Sequence, residues 1–283
     1  MRLQKTISSI VKRFVEKIAF FLRSAETGTT NKFKIVFVLV PTLVLSLQAA
    51  KADVIFEGYY KMTANNLPIG FFVQRFEVDP KTKNFKSVYF VNAQIGNAKS
   101  SESLKAETSK DFAPISYQYT MTDGTTAKTI DATFKGDVMI AKVTDGTKTQ
   151  TINRKLEKGT FLSTFLGYLM LSKGLKDKTT YNYKAVAEED ATTYTGKADV
   201  LEKSNHLGLS AFRLKNTFKN ATYVSFVSEA GEVLSTTSAE NGIATQLVSE
   251  RKLAVTNLTP FEKPLKLLFG EIPAGTKTGL NKK

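Results

Sequence analysis

Residues 115–146 read ISYQYTMTDGTTAKTIDATFKGDVMIAKVTDG, and this stretch decides the fold. Ile115, Tyr117, Tyr119 and Met121 alternate with Ser116, Gln118, Thr120 and Thr122. A period of two sends one set to a buried sheet face and the other to solvent. Asp123-Gly124 follows, a dipeptide suited to a type I′ hairpin. Ile130, Ala132 and Phe134 then alternate with polar residues, Lys135-Gly136-Asp137 turns the chain, and Val138 to Val143 runs back. Asp145-Gly146 ends that strand and Thr147 to Asn153 forms the next. Strands joined in sequence by glycine turns make an antiparallel meander.

The same rhythm extends outward. Phe56 to Thr63 and Ile69 to Val78 flank Asn65-Asn66-Leu67-Pro68, and Phe85 to Ala93 follows. On the far side come Thr180 to Val186, Thr192 to Leu201, Leu207 to Thr217, Ala221 to Val227, Glu232 to Thr237 and Ile243 to Ser249. Short strands without intervening helices exclude a Rossmann or barrel α/β fold.

One segment breaks the rhythm. Thr160 to Lys173, TFLSTFLGYLMLSK, has no period of two, and Gly174 stands where a helix C′ residue belongs. The spacing predicts a helix of 14 residues, apolar nearly all round: Phe161, Leu162, Phe165, Leu166, Tyr168, Leu169, Met170 and Leu171. At about 1.5 Å per residue it is too short to span a bilayer, so it belongs inside the curve of a sheet. The expected class is α+β, mostly antiparallel β: a curved meander or half-barrel sheet wrapped around one central apolar helix. Phe161, Phe165, Leu166, Leu169 and Met170 then line either the core or an apolar ligand pocket. The aromatic residues Tyr59, Phe71, Phe72, Phe76, Phe90, Tyr117, Tyr119 and Phe134 carry the same two readings.

The N-terminal part reads as a targeting segment. Lys32 and Lys34 precede an apolar run from Ile35 to Leu47, which leads into Ala50-Lys51-Ala52. A basic n-region, a short h-region and small residues at −3 and −1 place signal cleavage between Ala52 and Asp53. The mature protein is then periplasmic or secreted; the alternative is an inner-membrane anchor facing the periplasm, in which case the leader alone meets the membrane. Ahead of the run, Leu3, Ile7, Ile10, Val11, Phe14, Val15 and Ile18 fall at helical spacing, with Lys5, Lys12, Arg13 and Lys17 mostly on the other side. Either this is a basic amphipathic helix or translation starts nearer Asn31. The expected organisation is 1–52 leader and signal peptide, 53–256 β-rich domain and 257–283 C-terminal tail. Pro260, Pro264 and Pro273 interrupt that tail, which reads as a short packing segment followed by a disordered lysine-rich end.

Composition removes several chemistries. The chain has no cysteine, which excludes a lipoprotein anchor, thiol catalysis, zinc fingers and iron–sulfur sites. Its single histidine, His206, excludes His-pair metal sites, and no cofactor is expected. The formal net charge of +14 is inflated by the leader: residues 53–283 carry 31 Lys/Arg against 24 Asp/Glu, dispersed and poor in arginine. That pattern does not fit nucleic acid but suits weak attraction to anionic lipid or cell-wall polymer.

Three passages resemble a known family. EGYYKMTANNLPIGFFVQRFEV, with Ile69-Gly70 before its second strand, is similar to the start of the β-rich domain that precedes bacterial periplasmic transglutaminase-like catalytic domains. FLSTFLGYLMLSKGLKDKTTYNYKA resembles that domain's central helix and tyrosine-rich strand, and SEAGEVLSTTSAENGIATQLVSERKLA its closing strands. The resemblance covers about residues 54–255 and implies a non-catalytic periplasmic domain, because the catalytic domain and its cysteine are absent from this chain.

Catalytic candidates are poor. His206 lies between two strands without the G-x-S-x-G elbow of a hydrolase and reads as a solvated turn residue. Glu188-Glu189-Asp190 reads as a solvated hairpin turn rather than a glycosidase pair. Ser249-Glu250-Arg251-Lys252 matches S-x-x-K but lacks the companion motifs. The function expected is a non-catalytic exported envelope protein, a binding or scaffold module accessory to a cell-envelope enzyme, with an envelope protein or cell-wall component as partner. The alternative is a periplasmic carrier of lipid or another apolar ligand.

Overall fold

The computed structural model describes residues 52–95, 98–238, 240, 242–256, 258 and 261–282. Ala50 and the leader lie outside them. Sixteen strands form one sheet. Eight come first: β1 (Asp53–Ala64), β2 (Leu67–Val78), β3 (Phe85–Ile95), β4 (Ala98–Thr108), β5 (Pro114–Thr122), β6 (Ala127–Lys135), β7 (Val138–Asp145) and β8 (Lys148–Lys155). A two-residue strand β9 (Phe161–Leu162), a 3-10 turn (Ser163–Phe165) and helix α1 (Leu166–Ser172) follow. Then come β10 (Thr180–Ala187), β11 (Thr192–His206), β12 (Leu209–Phe218), β13 (Ala221–Ser228), β14 (Val233–Ser238) and β15 (Ile243–Val248). Helices α2 (Arg251–Val255) and α3 (Glu262–Phe269) and strand β16 (Thr276–Lys277) end the chain.

Neighbouring strands run β8 through β1 in reverse order, then β15 down to β9. Two meanders therefore meet where β1 pairs β15, Tyr59 opposite Val248. All pairings are antiparallel except β9 with β10, where Phe161 faces Ala185 and Leu162 faces Val186. That pairing shortens the expected central helix. The first residues of Thr160–Lys173 join the sheet, and only seven remain α-helical. Two turns also differ from expectation. Asp123-Gly124 opens a four-residue loop, in which the Asp123 carboxylate accepts the N–H groups of Thr125 and Thr126. Asn65-Asn66 is the tight hairpin, with φ of 49° and 66°.

The sheet curls around the β9–α1 segment, hereafter the plug. Phe161, Leu162 and Phe165 are buried in one cluster with Leu104, Ile130 and Met139 of the first meander and Val186, Ala211 and Leu234 of the second. Phe165 lies 6.0 Å, centroid to centroid, from Phe76. The inner face is thus filled by alternate side chains of both meanders and by the plug between them.

The outer face of β1–β3 is covered too, which explains the run of buried residues in β1. Tyr59, Phe71, Val73, Phe90 and Val248 pack under Ala254, Leu265 and Phe269 of α2 and α3. Arg75 and Glu57 face each other across β2 and β1 on the same side. Arg75 Nε donates to Glu57 at 2.6 Å and its Nη1 to the Phe269 carbonyl at 3.2 Å, while Glu57 accepts the Gly275 N–H at 2.8 Å. Both charges are buried. The C-terminal segment is therefore a second layer; its end pairs with β1 through β16 and does not hang free as the lysine-rich sequence suggested.

The expected aromatic set divides by strand alternation. Tyr59, Phe71 and Phe90 lie on the outer face, whereas Phe76, Tyr117 and Tyr119 lie on the inner one. Phe72 and Phe134 pack half-buried against the inner cluster, so the eight residues of the set do not line one pocket.

Candidate functional site

The chemically dense part of the interior is a polar seam where the plug crosses between the meanders. Glu188 follows the last residue of β10 and is only 4% exposed. One carboxylate oxygen accepts the Ser163 hydroxyl at 2.6 Å and the other the Thr164 N–H at 3.1 Å, so it holds the start of the 3-10 turn. Thr164 passes the link on: its hydroxyl lies 3.0 Å from Ser87 on β3 and 3.5 Å from Gln74 on β2. Burial pushes the Glu188 carboxyl up to about 7, against the lowering effect of its two donors. The expectation of a solvated turn at 188–190 fails for Glu188 because the plug folds over it. Both of its oxygens are engaged by the plug, which gives this carboxylate a fastening task.

A second layer of the seam surrounds Glu102 on β4. It accepts the Tyr89 hydroxyl at 2.5 Å. Burial raises its carboxyl above the ordinary range, offset in part by hydrogen bonds from Tyr89 and Tyr119. Across from it, Lys219 in the β12–β13 turn binds Glu189 at 2.5 Å and Asp190 at 2.6 Å, and lies over the Tyr194 ring. Burial depresses the Lys219 ammonium, and the two carboxylates more than offset it, leaving the group raised. Lys128 on β6 donates to the Glu189 carbonyl at 2.8 Å, which ties the first meander to the β10–β11 turn. The Tyr117 hydroxyl is buried without a hydrogen-bond partner among the described residues, and burial raises it strongly.

The other expected positions lie elsewhere. Phe161, Phe165 and Met170 are buried, and Leu166 and Leu169 are half-buried against the core. A cavity of about 40 Å³ beside α1 is lined by Phe56, Tyr60, Gln74, Phe76, Thr164 and Tyr168, among others. It has room for one water molecule and none for an acyl chain. Asp53 is the first residue of β1, directly after half-buried Ala52. His206 is not a solvated turn residue. It ends β11, stacks on Phe226 at 3.9 Å and bonds Ser235 at 2.8 Å, and burial lowers its pKa. No carboxylate pairs with its ring among the described residues, so this serine–histidine contact lacks the third member of a triad. Ser249 and Lys252 fall on the bend after β15 and on α2, and Lys252 pairs with Glu250 at 2.9 Å. No group of three or more His, Asp or Glu able to hold a metal occurs among the described residues, and none of their helices is long and apolar enough to cross a membrane.

Of the seam, the sequence singles out Glu188–Asp190, Tyr117 and Tyr119, but not as one site. Its signal was present only in pieces: a glutamate at an inward position of β4, and a Lys219-Asn220 turn with both φ positive.

Comparison with known proteins supports the architecture. No family model matches the chain, and no curated protein does. Among solved structures, the chain is similar to a beta-barrel-like protein of the domain of unknown function DUF1849 from Brucella abortus. That match has a TM-score of 0.53 and 10% identity, and it covers 70% of this chain and 98% of that one. A DUF1089 family protein from Pseudomonas aeruginosa matches with a TM-score of 0.36 and 11% identity over 58% of this chain and 87% of that one. The first match shows a shared β-barrel-like fold, in keeping with a β-rich domain.

Proposed function

We propose that the chain is an exported, non-catalytic module of the bacterial cell envelope that works by binding or scaffolding. The observation that carries this reading is the filled half-barrel. The plug occupies the inner face, and the seam fastens it to β2, β3 and β10. A pocket for an apolar ligand of drug size needs roughly 300–1,000 Å³; the space beside α1 is about 40 Å³, and the hollow of about 310 Å³ on β3–β6 is lined in part by Lys86, Lys105, Glu107 and Asp131, charges that an acyl chain would have to desolvate. This weighs against the carrier reading and leaves the outside of the molecule for partners.

Export is supported by the signal layout ending at Ala50-Lys51-Ala52 and by the start of β1 at Asp53, so that cleavage there removes no residue of the sheet. The family resemblance supports an accessory role beside an envelope enzyme such as a transglutaminase-like protein, with an envelope protein or cell-wall component as partner. Intact-mass analysis of the periplasmic fraction tests the reading. A product beginning at Asp53 is expected; a product that retains Ile35 to Leu47 and is found only with membranes overturns periplasmic release in favour of the anchor.

A further inference from the structure

Helices α2 and α3 both pack on the outer face, α2 against β15, β1 and β2 and α3 against β3. Ala254, Leu265 and Phe269 are their sheet-facing side chains. The opposite sides of both helices therefore look away from the sheet in a common direction. Leu267 is two residues from both Leu265 and Phe269, which places it about 200° around the helix from each. It is 83% exposed, and Leu253 on α2 is 48% exposed. Of the large apolar side chains among the described residues, only these and Leu67 are exposed.

Lysines frame the two leucines. Lys252, Lys263 and Lys266 are exposed on the same helices. Residues 250–282 carry six Lys/Arg against three Asp/Glu. Two of these lysines pair with Glu250 at 2.9 Å and Glu262 at 3.8 Å, in exposed contacts that contribute little and can be exchanged for lipid phosphate.

We propose that this face docks on an anionic phospholipid surface, with Leu253 and Leu267 entering the headgroup–acyl boundary and the lysines reaching the phosphates. A second copy fits less well. Two such faces would set lysine against lysine, and two leucines bury far less than a stable dimer needs. The proposal deepens the envelope reading by naming a partner, and it is tested apart from export because vesicle contact is measured on purified protein.

The absence of cysteine allows a site-specific experiment on the mature protein beginning at Asp53, without the leader that would itself meet the membrane. An environment-sensitive fluorophore is attached to Leu267→Cys and, separately, to Lys148→Cys on edge strand β8. The expected result is a blue shift at 267 with phosphatidylglycerol–phosphatidylcholine vesicles, absent with phosphatidylcholine alone and reversed by roughly 0.5 M salt. Position 148 should not respond. Adding Lys263→Glu and Lys266→Glu should weaken the vesicle response at least about tenfold. No shift at 267, whether or not the protein pellets with vesicles, overturns the proposal. So does an equal shift with neutral vesicles, or a shift that follows protein concentration without lipid and so reports self-association.

Discussion

Replacing Glu188 with glutamine should stabilise the protein in a pH-dependent way. The carboxyl titrates near 7 in the fold, against 4.5 for the free group. Between those values the native state holds a proton that the unfolded chain has released. Stability therefore falls as pH rises across that interval, by about 1.4 kcal/mol per pH unit at most and about 3 kcal/mol in total. Glutamine keeps both contacts: its oxygen accepts the Thr164 N–H and its amide donates to the Ser163 hydroxyl. Glu188→Gln and the parent should thus unfold at similar urea concentrations at pH 5. At pH 8 the variant should be more stable by about 2–3 kcal/mol, a midpoint shift on the order of 1 M urea. The difference between the two proteins isolates this group, since Glu102 and Glu232, both raised, add pH dependence of the same sign and His206, lowered, adds the opposite. An equal change at both pH values, or a parent whose stability rises from pH 5 to 8 relative to the variant, would refute the reasoning.

Three further substitutions probe the plug, the outer layer and a close strand contact. Phe165→Ala should cost about 3–5 kcal/mol in urea unfolding, because Phe165 is fully buried between the meanders; an unchanged midpoint would make the plug peripheral. Arg75→Met leaves the Glu57 carboxylate buried without its partner and should cost about 3–5 kcal/mol, with faster proteolysis between α2 and α3; a variant with parental stability and an uncut tail would show that the ion pair does not hold the outer layer. Gly70→Ala would place a Cβ 2.0 Å from the Asn92 carbonyl oxygen, so the β2–β3 pairing must shift at a cost of about 1–3 kcal/mol; thermal unfolding at the parental temperature would contradict that contact.

Much of the sheet was legible, and the gaps have physical causes. In β5 and β6 the inward residues, among them Tyr117 and Ile130, alternate with polar neighbours, so the period of two is plain. Strand β4, AKSSESLKAET, shows no apolar alternation in its sequence. Of its inward positions Leu104 alone is large and apolar, and Glu102 faces inward to meet Tyr89. The seam itself hid the strand. The central helix is shorter than the sequence pattern implies because Phe161 and Leu162 are captured by β10, a parallel pairing across more than twenty residues that no local pattern announces. For the same reason Glu188 looked like a turn carboxylate: its donors, Ser163 and Thr164, come from a segment folded back over it. The Ile69-Gly70 pair, noticed only as a resemblance, has a direct cause in the approach of Asn92.

The central claim is a filled half-barrel that is exported and carries no tightly held lipid. Native mass spectrometry of the protein released from its own periplasm tests both parts at once. The account predicts one species, beginning at Asp53 and free of any adduct. A stoichiometric lipid adduct, lost when Phe165 or Leu169 is replaced by a charged residue in a protein that stays folded, would contradict it and establish the carrier.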